Sequence, residues 1–451
     1  MVRELREDAI VDFFKKALSS IKFVDETDYS AIEQRLDMLA DSGEKRYKKT
    51  EAASWLWKFF VEKSLRDITD NLRGYYELCS YFDEYVEYEN VLFALDKNHR
   101  DHVIHSVWVM LLGLYLRKNF GPFANLDYNA LQSLFLPVEK QVNPLTQTMN
   151  IVKEHEISLW CLIALTHDLG YPIQKTMNAN EIMAKMVSKF GFLEQTQFRY
   201  NFTIVHQTAI SELLNIISSI VVLMDPKAYA VVRYSGIRLD YAKSFEQLDH
   251  GIMSAYLLQI YLDYICDVMQ VPEGLPEAHL SDFEVAAKQA IIITLLKVIS
   301  SHTNKNAYSH EINHMEVLLP LSDELDEFSR YSRSLGTSEW INVRCRTEFA
   351  CTEHSFQINY TFENKDIGDD IESFFKRKVE KLRNRFELKD DKIREISITC
   401  KDVRKAKPIT FVYKKKISED PRGIVKRIPG KSSNDINGFL NGAVNLSSKD
   451  S

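Results

Sequence analysis

A histidine and an aspartate at the end of an apolar segment are the first residues in this sequence that indicate chemistry. His167 and Asp168 follow the helical run that begins at Leu162, and Leu169-Gly170-Tyr171-Pro172 comes directly after them. Burying an imidazole or a carboxylate without a partner is costly. A divalent metal ion satisfies both groups because it accepts nitrogen and carboxylate ligands. The doublet therefore predicts a metal site at a helix end.

Further His and Asp residues begin or end other apolar segments. They are His102, His105, Asp249, His250, His302 and Asp323. Helix ends can converge on one cavity, with the apolar helices behind them holding the side chains rigid. Imidazole with carboxylate is a typical ligand set for Mn, Fe, Zn, Ni or Co and too rich in nitrogen for calcium. Such a metal activates water and neutralises charge on a phosphoryl oxygen, which is the chemistry that hydrolysis of a phosphate ester or anhydride requires.

The order of these residues resembles the HD superfamily of metal-dependent phosphohydrolases. Three phrases between residues 98 and 330 carry the resemblance: His105-Ser106 with Val109, the run ALTHDLGYP, and the run LSDELDEFSR. The resemblance implies a helical bundle that holds one or two divalent ions (Mn, Fe, Ni, Co, Zn or Mg). It also implies a nucleotide-type substrate: a dNTP, a cyclic nucleotide or a short oligonucleotide.

The resemblance also implies a ligand set. His105, His167, Asp168 and Asp323 would hold one metal, His250 and His302 would complete a second, and Asp168 would bridge them. His102 competes with His105 as the first ligand, but the Ser106 and Val109 phrasing favours His105 and leaves His102 behind the ligands or on the substrate. A helix cap is the competing interpretation of Asp323.

The chain departs from the family after the doublet, where many two-metal members carry a Gly-Lys pair. Here Leu169-Gly170-Tyr171-Pro172 follows, and Lys175 is the nearest cation that could act catalytically in its place. His206 is an alternative for one of the later ligands. His310 and His314, four residues apart, could bind a metal, although a substrate-facing or surface role is favoured. The candidate phosphate contacts, chosen by position, are Arg100, Arg199, Lys305 and Tyr308.

Composition sets the broad class of the protein. The chain has 451 residues, 45% of them hydrophobic and 27% charged, which is typical of a globular protein. With only 15 Gly and 11 Pro, it is expected to be mainly helical. Six widely spaced Cys without a CxxC pair indicate free thiols in a reducing compartment. The charged N-terminus and the short apolar runs predict no signal peptide and no membrane span, hence a cytoplasmic protein.

The predicted fold class is mainly α: an HD-type helical bundle with a small C-terminal α+β (ββαββ) module. We expect a helical scaffold at 1–95 packed on the core, the HD phosphohydrolase domain at 96–338, the small module at 339–416, and a basic, disordered tail at 417–451. Residues 121–150 are expected to form a loop or lid before helix resumes at Glu154. Residues 210–224 are expected to form one apolar helix.

The C-terminal part of the chain is basic and leaves other functions open. Residues 371–431 contain 20 Lys and Arg against 9 Asp and Glu, while the whole chain has a net charge of −7. A metal-dependent nuclease that binds nucleic acid through this region is one alternative, although a solvated helix face and a basic tail would have the same composition. A nucleotide-sensing scaffold with a retained metal site is another. Homo-oligomerisation is expected by analogy with HD hydrolases.

Overall fold

Three helices with almost no polar face form the centre of the molecule. In the computed structural model they are α5 (His102–Asn119), α7 (Glu156–Thr166) and α13 (Asp282–Ser301). A helix that is apolar on all sides must be covered by other elements, and α7 is buried from Ser158 to Thr166. Both α5 and α13 pack against α7. This packing brings the start of α5 and the ends of α7 and α13, where the predicted ligands lie, into one region.

The other helices surround these three. In chain order they are α1 (Glu7–Ala17), α2 (Tyr29–Ala40), α3 (Arg46–Ile68), α4 (Tyr75–Leu95), α6 (Pro144–Glu154), α8 (Tyr171–Val187), α9 (Ile204–Ile217), α10 (Ser235–Glu246), α11 (His250–Tyr261), α12 (Asp263–Met269), α14 (Met315–Leu325) and α15 (Ile371–Leu382). The structure describes residues 3–95, 101–124, 126, 131–133, 144–187, 189–190, 203–225, 228–269, 282–304, 310–329, 331–333, 340–342, 345–352, 354–363, 371–388, 393–403, 409–416, 424–429 and 434–435.

The N-terminal helices contact the core at the C-terminal end of α7. The indole Nε1 of Trp57, on α3, donates a hydrogen bond to the Leu165 carbonyl oxygen at 2.6 Å. Its ring stacks on Phe82 of α4, with ring centroids 3.8 Å apart. A buried indole needs a partner for its N–H, and here that partner lies two residues before His167.

A seven-stranded sheet covers the C-terminal end of the fold. Its strand order is β1-β7-β8-β9-β10-β11-β12. Among the described strands of this sheet, β8 and β9 are the one parallel pair, and α15 provides the crossover that such a pair requires. The strands are β1 (Arg3–Leu5), β7 (Cys345–Cys351), β8 (Ser355–Phe362), β9 (Glu395–Asp402), β10 (Ile409–Lys416), β11 (Ile424–Pro429) and β12 (Asn434–Asp435).

Two smaller sheets complete the described structure. One has the order β2-β3-β4, and the other is the β5-β6 pair. Their strands are β2 (Leu131–Ser133), β3 (Ser219–Asp225), β4 (Ala228–Arg233), β5 (Tyr331–Arg333) and β6 (Trp340–Asn342). The mainly helical class with a small mixed sheet is confirmed, whereas the HD-type arrangement of the bundle stays a prediction.

Three expectations about segments are wrong. Residues 424–429 and 434–435 are strands rather than disordered tail, because β11 pairs with β10, which would otherwise be an open sheet edge. Residues 210–224 are divided between α9 and β3, since Ser218 Oγ bonds back to the Leu214 carbonyl at 2.6 Å and β-branched residues follow. Helix resumes at Pro144, a favourable first helical residue, rather than at Glu154.

The described cysteines and helices add two observations. All six cysteines are free thiols. Among the described residues, no single helix has both the length and the apolar character to cross a membrane, whereas the pair α11 and α12, bent by 86°, meets that test by length and composition.

Gly113 is required where α5 crosses α7. A Cβ atom at this position would lie 1.9 Å from Cζ2 of Trp160. We expect Gly113→Ala to destabilise the fold by about 1–3 kcal/mol or more, since overpacking moves side chains out of their rotamers. Gly236→Ala is the matched control, because no atom lies within 4 Å of its Cβ position. Urea denaturation followed by circular dichroism checks this, and equal midpoints for Gly113→Ala and the wild type would contradict it.

Candidate metal centre

Asp168 lies between two pairs of imidazoles. With His105 and His167 it forms one group of potential metal ligands, and with His250 and His302 it forms a second. Within each group the ligand atoms all lie within 4.8 Å of one another. The oxygen Oδ2 of Asp168 is 3.3 Å from His167 Nε2, while Oδ1 is 3.4 Å from His250 Nε2 and 3.7 Å from His302 Nε2. One carboxylate thus presents an oxygen atom to each group.

Hydrogen bonds at Nδ1 orient three of these imidazoles. His167 donates from Nδ1 to the Ala164 carbonyl at 2.7 Å, and His302 donates from Nδ1 to the Ile299 carbonyl at 2.6 Å. His250 Nδ1 is 2.8 Å from Gln174 Oε1. A carbonyl oxygen only accepts, so in each neutral imidazole the proton is on Nδ1 and the lone pair is on Nε2, which faces Asp168. Such partners fix the tautomer that a metal-binding histidine needs.

His105 is held between two carboxylates of α14 and the turn after it. Its Nδ1 donates to Asp326 Oδ2 at 2.6 Å, and its Nε2 is 3.0 Å from Asp323 Oδ1. Asp326 is fully buried and also accepts a hydrogen bond from Ser329. A carboxylate behind a histidine whose other nitrogen faces a ligand site is a common arrangement around bound metals. Through this contact with His105, Asp323 lies next to the group formed by His105, His167 and Asp168.

Close packing of α11 holds the doublet in place. Ser254 Oγ is 2.6 Å from the His167 carbonyl oxygen and 2.7 Å from that of His250, and it accepts from the Gly170 N–H at 2.8 Å. A Cβ atom on Gly170 would lie 2.4 Å from the His250 carbonyl oxygen. Glycine after the doublet is therefore explained by the approach of α11, which brings His250 to Asp168.

The electrostatics of the cluster favour an ionised Asp168 and a neutral His250. Burial alone raises the pKa of Asp168, but His167, His302 and His250 outweigh it and hold that pKa well below its usual value. Burial lowers the pKa of His250 to about 4, despite the opposing charge of Asp168. The pKa of His167 is raised, because Asp168 outweighs the effect of burial. A carboxylate and a neutral imidazole are the forms that bind metals.

Two buried nitrogen atoms fit a metal ion. Within the described part of the chain, His167 Nε2 and His302 Nε2 are buried and have no hydrogen-bond partner. Each faces an Asp168 oxygen, at 3.3 and 3.7 Å, without bonding geometry. An unpaired buried acceptor costs free energy, and a cation between these atoms would remove that cost. The donor set of imidazole and carboxylate matches a divalent transition metal.

The two residues predicted to act catalytically beside the ligands lie at one side of the cluster. His102 is in neither group; its Nδ1 is 3.2 Å from the buried Glu89, and its ring packs on Tyr171 with centroids 3.7 Å apart. Lys175 Nζ lies over the same Tyr171 ring, 5.1 Å from its centroid. Tyr171 also packs on His250, with centroids 5.7 Å apart. His102 and Lys175 thus share Tyr171 as a neighbour at the edge of the cluster.

The structure places five of the six predicted ligands in the two groups, and the sixth, Asp323, lies beside them at His105. His206 is not part of either group and contacts the Tyr256 hydroxyl at 2.6 Å instead. The four predicted phosphate contacts, Arg100, Arg199, Lys305 and Tyr308, lie outside the described residues. Sequence reasoning missed Asp326 and Gln174, which orient His105 and His250. Asp326 could have been found, since it lies three residues after Asp323 in the acidic run.

Comparisons of this chain with known family models, curated proteins and solved structures found no match. The interpretation of the site therefore depends on its residues and their geometry.

A further group of potential metal ligands, separate from the two at Asp168, lies just before and at the start of α14. His310, His314 and Glu316 have ligand atoms within 4.8 Å of one another, and the two rings stack with centroids 4.3 Å apart. Glu316 also faces Lys297 at 3.6 Å. Burial alone raises the pKa of Glu316, but Lys297 and His310 outweigh it and hold that pKa well below its usual value. Because Lys297 already balances the charge of Glu316, we interpret this group as an ion-pair network.

We expect divalent metal to bind at Asp168 and to stabilise the fold. A ligand at 100 times its dissociation constant adds about 2.7 kcal/mol to the free energy of unfolding. Wild-type protein incubated with Mn²⁺ and desalted should contain two ions per chain by elemental analysis, and His250→Gln should contain one. Asp168→Asn should contain none and show no thermal shift. His314→Asn is the control and should retain both ions. Equal metal content in Asp168→Asn and the wild type would refute the assignment.

We expect acid to destabilise the fold through His314. Burial lowers the pKa of this residue to about 3, against the attraction of Glu316. Below pH 6.5 the unfolded chain therefore takes up a proton that the folded chain does not, and stability falls by up to about 1.4 kcal/mol per pH unit. His314 also caps α14 by accepting from the Glu316 N–H at 3.1 Å.

His314→Asn keeps a capping acceptor and removes the titrating group. Its urea midpoint should fall less between pH 7 and pH 5 than that of the wild type. An equal fall in both proteins would show that His314 does not contribute to acid sensitivity.

Proposed function

We propose that this chain is a metal-dependent phosphohydrolase of the HD type. The observation that carries the proposal is the shared carboxylate of Asp168, which belongs to two groups of metal-ligand geometry at once. Two such groups around one carboxylate are the arrangement expected for a pair of ions. The order of the residues along the chain, with His105 first, the doublet next and Asp323 last, supports the same family by resemblance.

The chain's own residues would hold the ions and shape the site. His105, His167, Asp168 and Asp323 would hold one ion, and Asp168, His250 and His302 would hold the other. Bound ions would supply the activation of water and the neutralisation of charge on the phosphoryl oxygens. Asp326, Gln174 and the carbonyls of Ala164 and Ile299 keep the imidazole Nε2 atoms aimed at the site.

His102 is the candidate general acid. Water adds to phosphorus, the bond from phosphorus to the leaving oxygen breaks, and that oxygen needs a proton unless it leaves as a stable anion. His102 bonds to Glu89 through Nδ1, so proton transfer to the leaving oxygen would use Nε2. The ring lies beside the cluster, stacked on Tyr171, without belonging to either ligand group. We assign Glu89 the role of orienting this imidazole.

The resemblance to HD hydrolases supplies the substrate class, a nucleotide-type ester or anhydride. The nuclease alternative depends on a basic surface in the C-terminal part. Two of those basic residues, Lys378 and Arg385, are buried, with 4% and 7% of their surface exposed. Their positive charges face buried groups of the fold and do not contribute to a basic surface, which weakens the nuclease alternative.

The proposal predicts Mn²⁺-dependent release of product from at least one member of a panel of dNTPs, cyclic nucleotides and a short oligonucleotide. Asp168→Asn should lower kcat/KM by about a thousandfold or more, since the bridging ligand is lost. His206→Ala is the matched control, because it removes an imidazole outside both groups and should retain activity within about threefold. Chromatography of the reaction products measures both. Metal-loaded wild type that turns over no phosphate substrate would rule out the enzyme and favour the sensing scaffold.

A further inference from the structure

Three basic residues follow one another along one side of α15 and the turn after it. Lys378, Lys381 and Arg385 are spaced by three and four residues. Helical residues at this spacing lie on the same face. This face packs toward α14, the helix that carries Asp323. The C-terminal module therefore presents a row of positive charge to the acidic end of the metal centre.

The two outer members of this row are fixed by buried contacts. Arg385 donates to the carbonyl oxygens of Ser301 at 2.7 Å, His302 at 2.8 Å and Asn304 at 3.0 Å. These carbonyls lie at the C-terminal end of α13, where helix carbonyls lack partners and positive charge is favourable. Lys378 contacts both Glu324, at 2.5 Å, and Glu327, at 2.6 Å, and all three side chains are buried. The outer members have a structural role.

Lys381, the middle member, has a different environment. Its side chain is 58% exposed, and its Nζ contacts the Glu324 carboxylate and lies 3.9 Å from Asp323 Oδ2. The ammonium group therefore lies beside Asp323, a candidate ligand of one ion.

Lys381 can bind an anion while it keeps the partner that it has. Its ammonium group has three N–H donors, so Nζ can stay on Glu324 and also donate to a phosphate from its exposed side. The buried carboxylates of Glu324 and Glu327 then keep both Lys378 and Lys381 as counter-charges. A lysine that is exposed, positively charged and next to Asp323 has the properties of a ligand for an incoming phosphate.

We propose that Lys381 binds the phosphate group of the substrate, so that the C-terminal module forms one wall of the active site. This inference rests on the proposed function and extends it to the recognition of substrate. It supplies a cation that the sequence after the doublet, Leu169 to Pro172, does not provide. It also means that deleting the module would remove Lys381 together with the contacts of Arg385 and Lys378, so truncation cannot test nucleic-acid binding by itself.

Point substitutions test the proposal with inorganic phosphate as the probe. Isothermal titration calorimetry would measure phosphate binding to the Mn²⁺-loaded and the metal-free protein. Lys381→Met should weaken binding by about tenfold, the loss of one charge-assisted contact, and Lys381→Arg should stay within about threefold of the wild type. Lys376→Met is the matched control: it removes the same charge from α15 at a residue that pairs with Glu372 at 3.0 Å, and it should bind phosphate like the wild type.

Elemental analysis and thermal midpoints of the same variants show whether the metal centre and the fold are intact. Equal phosphate affinity in Lys381→Met and the wild type would overturn the inference, as would wild-type protein that binds no phosphate in either state. A protein that takes up no metal contradicts the proposed function instead. In that case the phosphate titration of the metal-free protein still decides the role of Lys381.

Discussion

The buried carboxylate of Asp168 is the constraint on which the centre of this fold depends. It is 6% exposed and surrounded by four imidazoles from four separate parts of the chain. An ionised group in such a place is stable only when opposite charge or hydrogen-bond donors face it. The imidazoles stabilise this charge when they carry a proton on Nε2, but in their neutral forms three of them hold the proton at Nδ1 on the far side of the ring. The Nε2 lone pairs then face Asp168 and add to the negative potential, and this arrangement favours a cation.

The helices are arranged so that this cluster can form. The candidate ligands lie at the ends of α7 and α13 and at the start of α11, so these helix ends must lie close together. Small residues at the contacts between the helices allow this close approach. Gly170 lets the backbone of α11 approach the doublet, and Ser254 bonds to the backbone on both sides of the contact. Gly113 performs the same function between α5 and α7 against Trp160. Close helix packing at these small residues holds the candidate ligands on rigid helix ends, which position side chains more precisely than loops do.

The candidate ligands could be found from sequence because each interrupts or ends an apolar run. A polar residue at that position, such as His302 after α13, contradicts simple burial and indicates a partner. The residues that orient them could not be found in this way. Gln174 lies in ordinary polar context. Asp326 is marked only by the acidic run after Asp323, and its role depends on its contact with His105, 221 positions apart.

The errors in secondary structure have a similar origin. Residues 210–224 are apolar throughout, and a continuous apolar run does not distinguish a helix from a buried strand. The decisive features are local and small: the hydroxyls of Ser218 and Ser219 bond back to the helix carbonyls, and the β-branched pair Val221 and Val222 follows. β11 depends on tertiary context instead, since its strand conformation comes from pairing with β10. Composition alone, rich in Lys and Gly, favoured disorder there.

The contacts of Arg385 connect the candidate metal centre to the C-terminal module. By bonding to the Ser301, His302 and Asn304 carbonyls, this residue restricts the backbone of a candidate ligand from a position 83 residues away, at the end of α15. An ion held by His302 would restrict the same backbone from the other side. Two interactions that order one segment reinforce each other, and the coupling is reciprocal. Metal affinity should therefore depend on docking of the module, and docking of the module on the metal. The C-terminal part of the chain would then contribute to the candidate metal centre through metal affinity as well as through its contacts.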